Sequence, residues 1–352
     1  MKTEIIRVDL SRLCDSINDI KNAAEIIRAG GLVAFPTETV YGLGGDGTSS
    51  DAARKIYAAK GRPSDNPLII HIAEPSDAEK YTYTNDTYYK LAERFMPGPL
   101  TVVLRARDSV PSATRGGLST VAVRCPEHPV ANLLIKYAGV PIAAPSANLS
   151  GSPSPTTASH VIDDMQGRIE AIIDGGDCDI GLESTIVKIE DNGTMTLLRP
   201  GRITIDELSE IAPVIIADAV TDRLGEGQVA LSPGMKYRHY APTSPLVLLD
   251  GEIEDAVEYI RSESFSNIAV LCYTEQRGYV AEQLPDADIF VLGAALDVNE
   301  QAHHLFAILR DADKLDYTKI YAPLPSKVGV GLALYNRMIR AAAHTIIKLR
   351  QE

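Results

Sequence analysis

The sequence lacks tryptophan, has only four cysteines and has no long hydrophobic run. No apolar stretch approaches the roughly 20 residues that a membrane-spanning helix needs. The N-terminal MKTEIIRVDL alternates charged and apolar residues, unlike a secretory signal. The cysteines are widely spaced and form no CxxC pair, which favours free thiols in a reducing cytosol over disulfides or a zinc site. We therefore expect a cytoplasmic protein with no membrane partner.

The chain also lacks an excess of positive charge. It contains 34 Lys and Arg against 47 Asp and Glu, a formal net charge of −13. Because nucleic-acid affinity comes mostly from neutralising phosphates, stable nucleic-acid binding is not expected. Local pairs of cations therefore point to a small anionic ligand.

Several catalytic motifs are absent, namely Walker A, GxSxG and HExxH. Gly42, Gly44 and Gly47 match the GxGxxG pattern, but that fingerprint needs a tight turn from a strand into a helix. Too many residues separate these glycines from the flanking strand and helix, so we interpret the match as a coincidence. The pair His303-His304 lies alone on a predicted helix face, which indicates a surface feature and not a metal site.

The length of 352 residues exceeds one typical core, which predicts two domains. We place a first domain at 1–217, a linker at 218–244 and a second domain at 245–352. Strands and helices alternate after Leu246, which predicts a small parallel α/β domain ending in a helix over 331–349.

In the first domain, the stretch PTETVYGLGGDGTSS has no clear periodicity and is expected to be irregular. A helix over 51–59, capped by Ser50, should follow it.

The segment KGRPSDNPLIIH, residues 60–71, contains the most informative pattern. Lys60 and Arg62 can converge on one polyanion, since Arg offers a planar fork and Lys a compact charge. The apolar run after Pro67 predicts a buried strand, which places His71 in a sheet. A basic loop leading to a structural histidine explains this segment alone equally well.

Three further polar loops lie beside predicted strands: PTETVYG with Thr37, Thr39 and Tyr41, PSAN with Ser146 and Asn148, and ESTI with Glu183, Ser184 and Thr185. Lys60, Arg62, Arg124 and Arg199 lie near strand ends or loops beside such residues. Together they predict a concave, hydrogen-bonding site for an anion at strand ends, where ligands of open α/β sheets bind. Because no Ser-His-Asp or Cys-His nucleophile is evident, the pattern favours nucleotidyl or phosphoryl transfer by positioning and charge stabilisation.

Eight motifs occur in order: PTETVYGLG, KGRPSDNPLIIH, PGPLT, TVAVR, PIAAPSANLSG, GLESTIV, LLRPG and SPGMKYRHYAP. With them the chain resembles the two-domain form of the YrdC-type L-threonylcarbamoyladenylate synthases. The motifs cover about residues 20–245. The resemblance implies an α/β (α+β) fold, a YrdC-like twisted mixed sheet with helices around a concave site. It also implies a smaller Rossmann-like parallel α/β C-terminal domain.

The resemblance further implies a reaction in which L-threonine, bicarbonate or CO2, and ATP give threonylcarbamoyl-AMP and pyrophosphate, with Mg²⁺. A separate threonylcarbamoyl transferase complex would then modify the adenosine beside the anticodon of ANN-decoding tRNAs.

Roles follow by motif. The residues implied to bind L-threonine are Thr39, His71, Arg124, Ala144 and Ser184. Those implied to bind ATP are Arg62, Asn66, Thr120, Ser146, Asn148, Ser154, Arg199 and Tyr237. Lys60 and Arg62 would act on the phosphates, Glu183 would help with the magnesium ion, and the linker carrying Tyr237 would close over the site.

Two other functions use the same residues. A double-stranded RNA-binding module would use the same cationic concavity, although the acidic total argues against it. A carbamoyl transferase with another carbamoyl donor would not need threonine.

Overall fold

A computed structural model describes residues 1–222 and 240–349. The chain divides into two compact units, Met1–Ser150 with Ser154–Tyr237, and Gly151–Pro153 with Arg238–Glu352. Among the described residues, no helix is both long and apolar enough to cross a membrane. Most of the predicted linker, residues 223–239, lies outside the description, so its closure over a site stays a prediction.

The first unit is built from short strands and short amphipathic helices. Its strands are β1 (Glu4–Arg7), β2 (Val33–Phe35), β3 (Gly42–Asp46), β4 (Ile69–His71), β5 (Leu100–Arg105), β6 (Thr120–Arg124), β7 (Ile142–Ala143), β8 (Ala171–Asp174), β9 (Thr185–Ile189), β10 (Met195–Arg199) and β11 (Val214–Ile216). Its helices are α1 (Ile17–Arg28), α2 (Ser50–Lys60), α3 (Asp86–Phe95), α4 (Ser112–Arg115), α5 (Pro129–Ala138), α6 (Ala158–Met165) and α7 (Ile205–Ser209), with 3-10 turns at Leu10–Ser16, Pro75–Lys80 and Asp218–Val220.

These strands form one mixed sheet in the order β1-β8-β2-β3-β7-β4-β6-β5-β9-β10-β11. β4 pairs in parallel with β6, and β6 pairs antiparallel with β5. β5 pairs in parallel with β9, which is antiparallel to β10. The mixed sheet implied by the sequence resemblance is therefore present.

Helix α1 shows why one part of the sheet is covered. Its buried residues, Ile20, Ala23, Ala24 and Ile27, recur at helical spacing and form one apolar stripe. They pack in a common core with α5 and with residues of β2 and β8.

Two expectations for the first unit are wrong. The stretch expected to be irregular contains β3, whose sequence GLGGD has little intrinsic strand preference. Pairing with β2 and β7 stabilises β3. The close packing of these strands requires glycine at position 44, because a side chain there would collide with Phe35 and Ile142. The cap of α2 is Ser49 and not Ser50, since the Ser49 hydroxyl accepts from the Ala52 amide.

The second unit is a parallel sheet with helices between its strands, as expected. Its strands are β12 (Leu246–Asp250), β13 (Ile268–Cys272), β14 (Asp288–Val291), β15 (Lys319–Pro323) and β16 (Ile346–Lys348), in the order β14-β13-β15-β12-β16. Its helices are α8 (Ile253–Glu263), α9 (Arg277–Gln283), α10 (Val298–Asp313) and α11 (Gly331–Ala341), with a 3-10 turn at Thr274–Gln276.

The predicted helix over 331–349 is wrong at its end. The helix stops at Ala341, and the chain then forms β16 beside β12. Ala343 and His344 have positive φ angles of 49° and 64°, which end the helix. Neither residue signals such a conformation in a sequence, because glycine and asparagine are its usual occupants.

We predict that Gly201→Ala lowers the free energy of unfolding by about 2 kcal/mol or more. Its new Cβ would lie 2.5 Å from the Thr185 backbone nitrogen and 2.8 Å from the Glu183 carbonyl oxygen. Urea denaturation of the two proteins measures the change. The control is Gly278→Ala on exposed α9, which meets no atom within 4 Å and should leave stability equal or higher. Equal stability of Gly201→Ala and the wild type would contradict the prediction.

Candidate active site on one face of the mixed sheet

One face of the mixed sheet has an apolar centre. Along a β-strand every second residue points to the same face of the sheet, and residues paired between neighbouring strands share that face. The register pairs Ala122 with both Ile69 and Val103, and Ile186 lies two strands away opposite Thr101. Ile69, Val103, Ala122, Ile186 and Leu198 form one buried cluster there. This cluster can support the flat or aliphatic part of a ligand.

Polar residues lie at both ends of this apolar centre. His71, Arg124 and Thr101 are neighbours across β4, β6 and β5 at one end. Thr120 lies at the other end of β6 and is half-buried. Because a strand rises about 3.3 Å per residue, Thr120 and Arg124 are separated by about 13 Å. The face is therefore long enough for two ligands placed end to end.

Arg124 forms a buried ion pair with Glu38. A guanidinium nitrogen of Arg124 lies 2.6 Å from Oε1 of Glu38, and both side chains are 5% exposed. Arg124 Nε and Glu38 Oε2 are also buried, and neither has a hydrogen-bond partner within the described part of the chain. Unsatisfied buried atoms are costly. A ligand with an acceptor and a donor would therefore satisfy both of them.

His71 is fully enclosed and neutral. Burial, assisted by the nearby Arg124 charge, lowers the pKa of His71 to about 3. Its Nδ1 lies 3.3 Å from the Ile142 carbonyl oxygen, which can only accept, so Nδ1 carries the proton. The other ring nitrogen of the neutral imidazole is then an acceptor. Phe35 packs edge-on against the ring.

Ser184 links β5 to β10. Its hydroxyl lies 2.7 Å from the Thr101 hydroxyl, and Arg199 donates to both the carbonyl and the hydroxyl of Ser184. The neighbouring Glu183 accepts a hydrogen bond from Ser154 at 2.5 Å. The β-bulge between Leu197 and Arg199 shifts the register of β10 at this position.

Lys60 is buried and fastened to the PSAN loop. Its ammonium donates to the carbonyl oxygens of Ser146 and Asn148, and it lies 3.3 Å from the Asn148 side-chain oxygen. The Ser146 hydroxyl also donates to that oxygen. Lys60, Ser146 and Asn148 therefore form one group, with the Lys60 charge at its centre.

Arg62 and Asn66 lie close together in space in the loop before β4. An Arg62 guanidinium nitrogen donates to the backbone oxygens of Asn66 and Pro67. The side-chain amide of Asn66 is fully buried, and neither its nitrogen nor its oxygen has a partner within 1–222 and 240–349. An amide that presents an unused donor and acceptor is suited to a polar ligand.

Two predicted threonine-site residues are buried close to the same strands. The Thr39 hydroxyl lies 2.9 Å from that of Thr37 in the loop that also carries Glu38. Ala144 follows β7, and its amide donates to the Ile69 carbonyl oxygen. Tyr237 lies outside the described residues. The assignment of individual residues to threonine or ATP stays a prediction.

Two residues were not among the predicted ligands although the structure places them in the site. Glu38 is the only acid in PTETVYG, and an arginine that is buried near the end of a strand needs a counter-charge. That requirement was the available signal. Thr101 carried no signal, because its contact with Ser184 joins residues 83 positions apart.

Histidines 303 and 304 lie on α10 and are half-buried, so part of each residue remains at the surface. His304 Nδ1 lies 3.0 Å from the Leu292 carbonyl oxygen, which gives that ring a structural contact. In the described residues, no group of three or more His, Cys, Asp or Glu side chains is arranged to hold a metal ion. The GxGxxG match is also explained, since Gly42 and Gly44 belong to β3 and not to a strand-to-helix turn.

We predict that Glu38→Ala destabilises the protein by about 3–5 kcal/mol, because it leaves the buried Arg124 charge uncompensated. Glu38→Gln should cost less, since its amide oxygen still accepts from Arg124. Urea denaturation checks both variants. As a control, Glu210→Ala removes the exposed Arg94–Glu210 pair and should leave the midpoint unchanged. A Glu38→Ala midpoint equal to that of the control would refute the prediction.

We also predict that His71 makes the protein sensitive to acid. Its pKa is about 3 when folded and near 6.5 when unfolded, so below pH 6.5 the unfolded chain binds the extra proton. The contribution of neutral His71 to stability is fully present above pH 6.5. Between pH 6.5 and pH 3 the free energy of unfolding falls by up to about 1.4 kcal/mol per pH unit. His71→Gln should flatten this dependence in urea titrations at several pH values. If the free energy of unfolding changed with pH in the same way for the variant and the wild type, His71 would not be the cause of the acid sensitivity.

Comparison with known proteins covers the whole chain. Residues 25–201 match a family model described as "Telomere recombination" (Sua5, YciO and YrdC), and residues 203–343 match the model of the threonylcarbamoyl-AMP synthase C-terminal domain. The threonylcarbamoyl-AMP synthase of Bacillus subtilis is 42% identical, over 99% of this chain and 100% of the relative. That of Pyrococcus abyssi is 43% identical, over 94% and 96%.

A solved structure of P. abyssi Sua5 complexed with L-threonine superposes with a TM-score of 0.89 at 40% identity, covering 99% of this chain and 100% of the other. The similarity in sequence and the similarity in fold to these relatives therefore both extend over nearly the full length of this chain. The chain belongs to the threonylcarbamoyl-AMP synthase family of enzymes.

Proposed function

We propose that this protein makes L-threonylcarbamoyl-AMP and pyrophosphate from L-threonine, bicarbonate or CO2, and ATP. The observation that carries the proposal is the full-length match to relatives named for this product. The sheet face with the buried Arg124–Glu38 pair supports it.

The Arg124 end of the face suits an α-amino acid. Arg124 would bind the threonine carboxylate through donors that Glu38 does not use, because a guanidinium carries five N–H groups. Glu38 Oε2 would accept from the amino group. The cation and the carboxylate therefore complement both polar groups of the amino acid.

His71 would recognise threonine and not act as a base. With a pKa of about 3 it has almost no capacity to hold a proton near pH 7. As a neutral acceptor it can receive the hydrogen bond of a hydroxyl group. We propose that this distinguishes threonine from amino acids without a hydroxyl, because a buried acceptor left unpaired is costly.

The nucleotide would lie beside the Lys60 group and the Arg62 loop. Lys60, Arg62, Arg124 and Arg199 are all buried, and so are the carboxylates of Glu38 and Glu183. Positive charges therefore outnumber negative charges by two in a region shielded from water, although the whole chain is acidic. This excess would stabilise the phosphates of ATP.

The chemistry needs two steps. The neutral amine of threonine adds to CO2 and loses a proton, which gives a carbamate. A carbamate oxygen then attacks the α-phosphorus in line, and pyrophosphate leaves with the electron pair of the broken P–O bond. Lys60 and Arg62 would stabilise the negative charge on the departing oxygens. The site must exclude water, because the carbamate and the mixed anhydride both decompose in it.

The residues fit a magnesium ion that ATP itself brings. Mg²⁺ at nucleotide sites is commonly held by one or two carboxylates and the substrate phosphates. Glu183 is a buried carboxylate, fixed by Ser154, and it would supply the protein ligand. The ion would neutralise charge on the phosphates.

The product would serve a separate threonylcarbamoyl transferase complex that modifies the adenosine beside the anticodon of ANN-decoding tRNAs. Closure of the linker with Tyr237 over the nucleotide, in order to exclude water, is part of the same proposal.

A double-stranded RNA-binding function is not favoured. Family membership points to an enzyme, and the cations that would contact a duplex are enclosed. Lys60, Arg62 and Arg124 are only 3%, 8% and 4% exposed, so they offer little surface to a wide, rigid duplex, whereas a single nucleotide could enter the site.

Incubation with ATP, bicarbonate and each amino acid in turn tests the activity, with mass detection of the adenylate. We expect a threonylcarbamoyl adenylate with threonine and little product with valine, which lacks the hydroxyl. Product formation from another carbamoyl donor without threonine would support the carbamoyl transferase alternative.

Lys60→Ala and Arg62→Ala should each lower threonine-dependent pyrophosphate release by about 100-fold or more, because each removes charge stabilisation at the phosphates. Circular dichroism would confirm that the variants fold. The control, Arg54→Ala, removes an exposed cation from α2 and should retain full activity. Undiminished release by both site variants would overturn the proposed site.

A further inference from the structure

The second unit contains a cavity of about 320 Å³ at the carboxyl ends of its strands. The segments after β12 and at the end of β15 border it, represented by Asp250 and Leu324. Its volume lies at the lower end of the range of about 300–1,000 Å³ for small-molecule sites. We call it the switch-point cavity.

The topology gives this position a physical meaning. All pairings in the sheet are parallel, and β15 and β12 are neighbours. From β12 the chain crosses over β15 towards β13, whereas from β15 it crosses over β12 towards β16. Right-handed crossovers in opposite directions lie on opposite faces. The two segments therefore diverge and leave a crevice where open α/β sheets bind ligands.

The lining of the cavity selects for a class of ligand. Its floor is apolar, with Val257, Ile260 and Val270 among the residues that form it. The carboxylates of Asp250 and Glu252 stand at its border, and no Lys, Arg or His of the described residues lines it. A phosphate would therefore be repelled, while hydroxyl donors would be accepted.

Tyr321 is a further residue of the cavity wall. It lines the cavity and is fully buried. Its hydroxyl has no hydrogen-bond partner in the part of the chain that the structure describes. Buried hydroxyl groups are normally satisfied, so the Tyr321 hydroxyl can still take part in one more hydrogen bond, while the residue itself forms part of the cavity wall.

We propose that the switch-point cavity binds a nucleoside without its phosphate. The aromatic base would occupy the apolar floor, and Asp250 would accept from the ribose hydroxyls, as carboxylates at strand ends do in dinucleotide-binding sheets. The site belongs to the second unit and is independent of the residues assigned to ATP and threonine.

Calorimetric titration of adenosine into the full-length protein, saturated with threonine and an ATP analogue whose bond between the α- and β-phosphates cannot be cleaved, tests the proposal. These saturating ligands occupy the first unit's site, so remaining adenosine binding reports on another one. We expect saturable binding by adenosine and much weaker binding by AMP, because Asp250 and Glu252 repel the phosphate. Asp250→Asn should weaken adenosine binding by about tenfold or more.

Ala256→Leu fills the cavity from α8 and should also abolish adenosine binding. The control is Asp286→Asn, an exposed carboxylate outside the cavity, which should bind like the wild type. Circular dichroism and a thermal melt of each variant show whether the second unit is folded. Absence of adenosine binding, equal binding by AMP, or undiminished binding by the folded Asp250→Asn and Ala256→Leu variants would each overturn the proposal.

Discussion

The carboxylate of Glu38 and the guanidinium of Arg124 meet in a part of the first unit that water hardly reaches. Neither charge would be tolerated there alone, because burial of an unpaired ion is very costly. Their pairing connects the loop after β2 to β6. Through the register of β6 it also fixes where His71 and Thr101 lie. The loop and the three strands β4, β5 and β6 therefore meet at one buried interaction.

Several elements follow from local sequence. The buried residues of α3 recur at helical spacing, and β5 is a largely apolar run rich in β-branched residues, so local sequence is enough to indicate both elements. β3 and β16 were not predictable in this way. The glycines of β3 have no strand preference. β16 depends on the positive φ angle of His344, which turns the chain back, and this conformation is stabilised only by the pairing of β16 with β12.

The candidate site shows a similar division. The motifs indicated the loops and strand ends that line it, since polar residues beside buried strands stand out. How these residues use their hydrogen bonds could not be predicted, because the partners are far apart in sequence. The Arg124–Glu38 contact spans 86 positions, and the Lys60–Asn148 contact spans 88. Charge balance is the one global rule that would have suggested Glu38 as the partner of Arg124.

The enclosure of Lys60 has a consequence for chemical self-protection. A threonylcarbamoyl adenylate is a mixed anhydride, and a neutral amine close to it would become acylated. The Lys60 ammonium, however, points its protons at oxygens of Ser146 and Asn148, and it has no lone pair with which to attack. In the proposed site, the charge would therefore remain near the phosphates while its nucleophilicity is suppressed. An enzyme that releases an acylating product can in this way keep a lysine in its site without modifying itself.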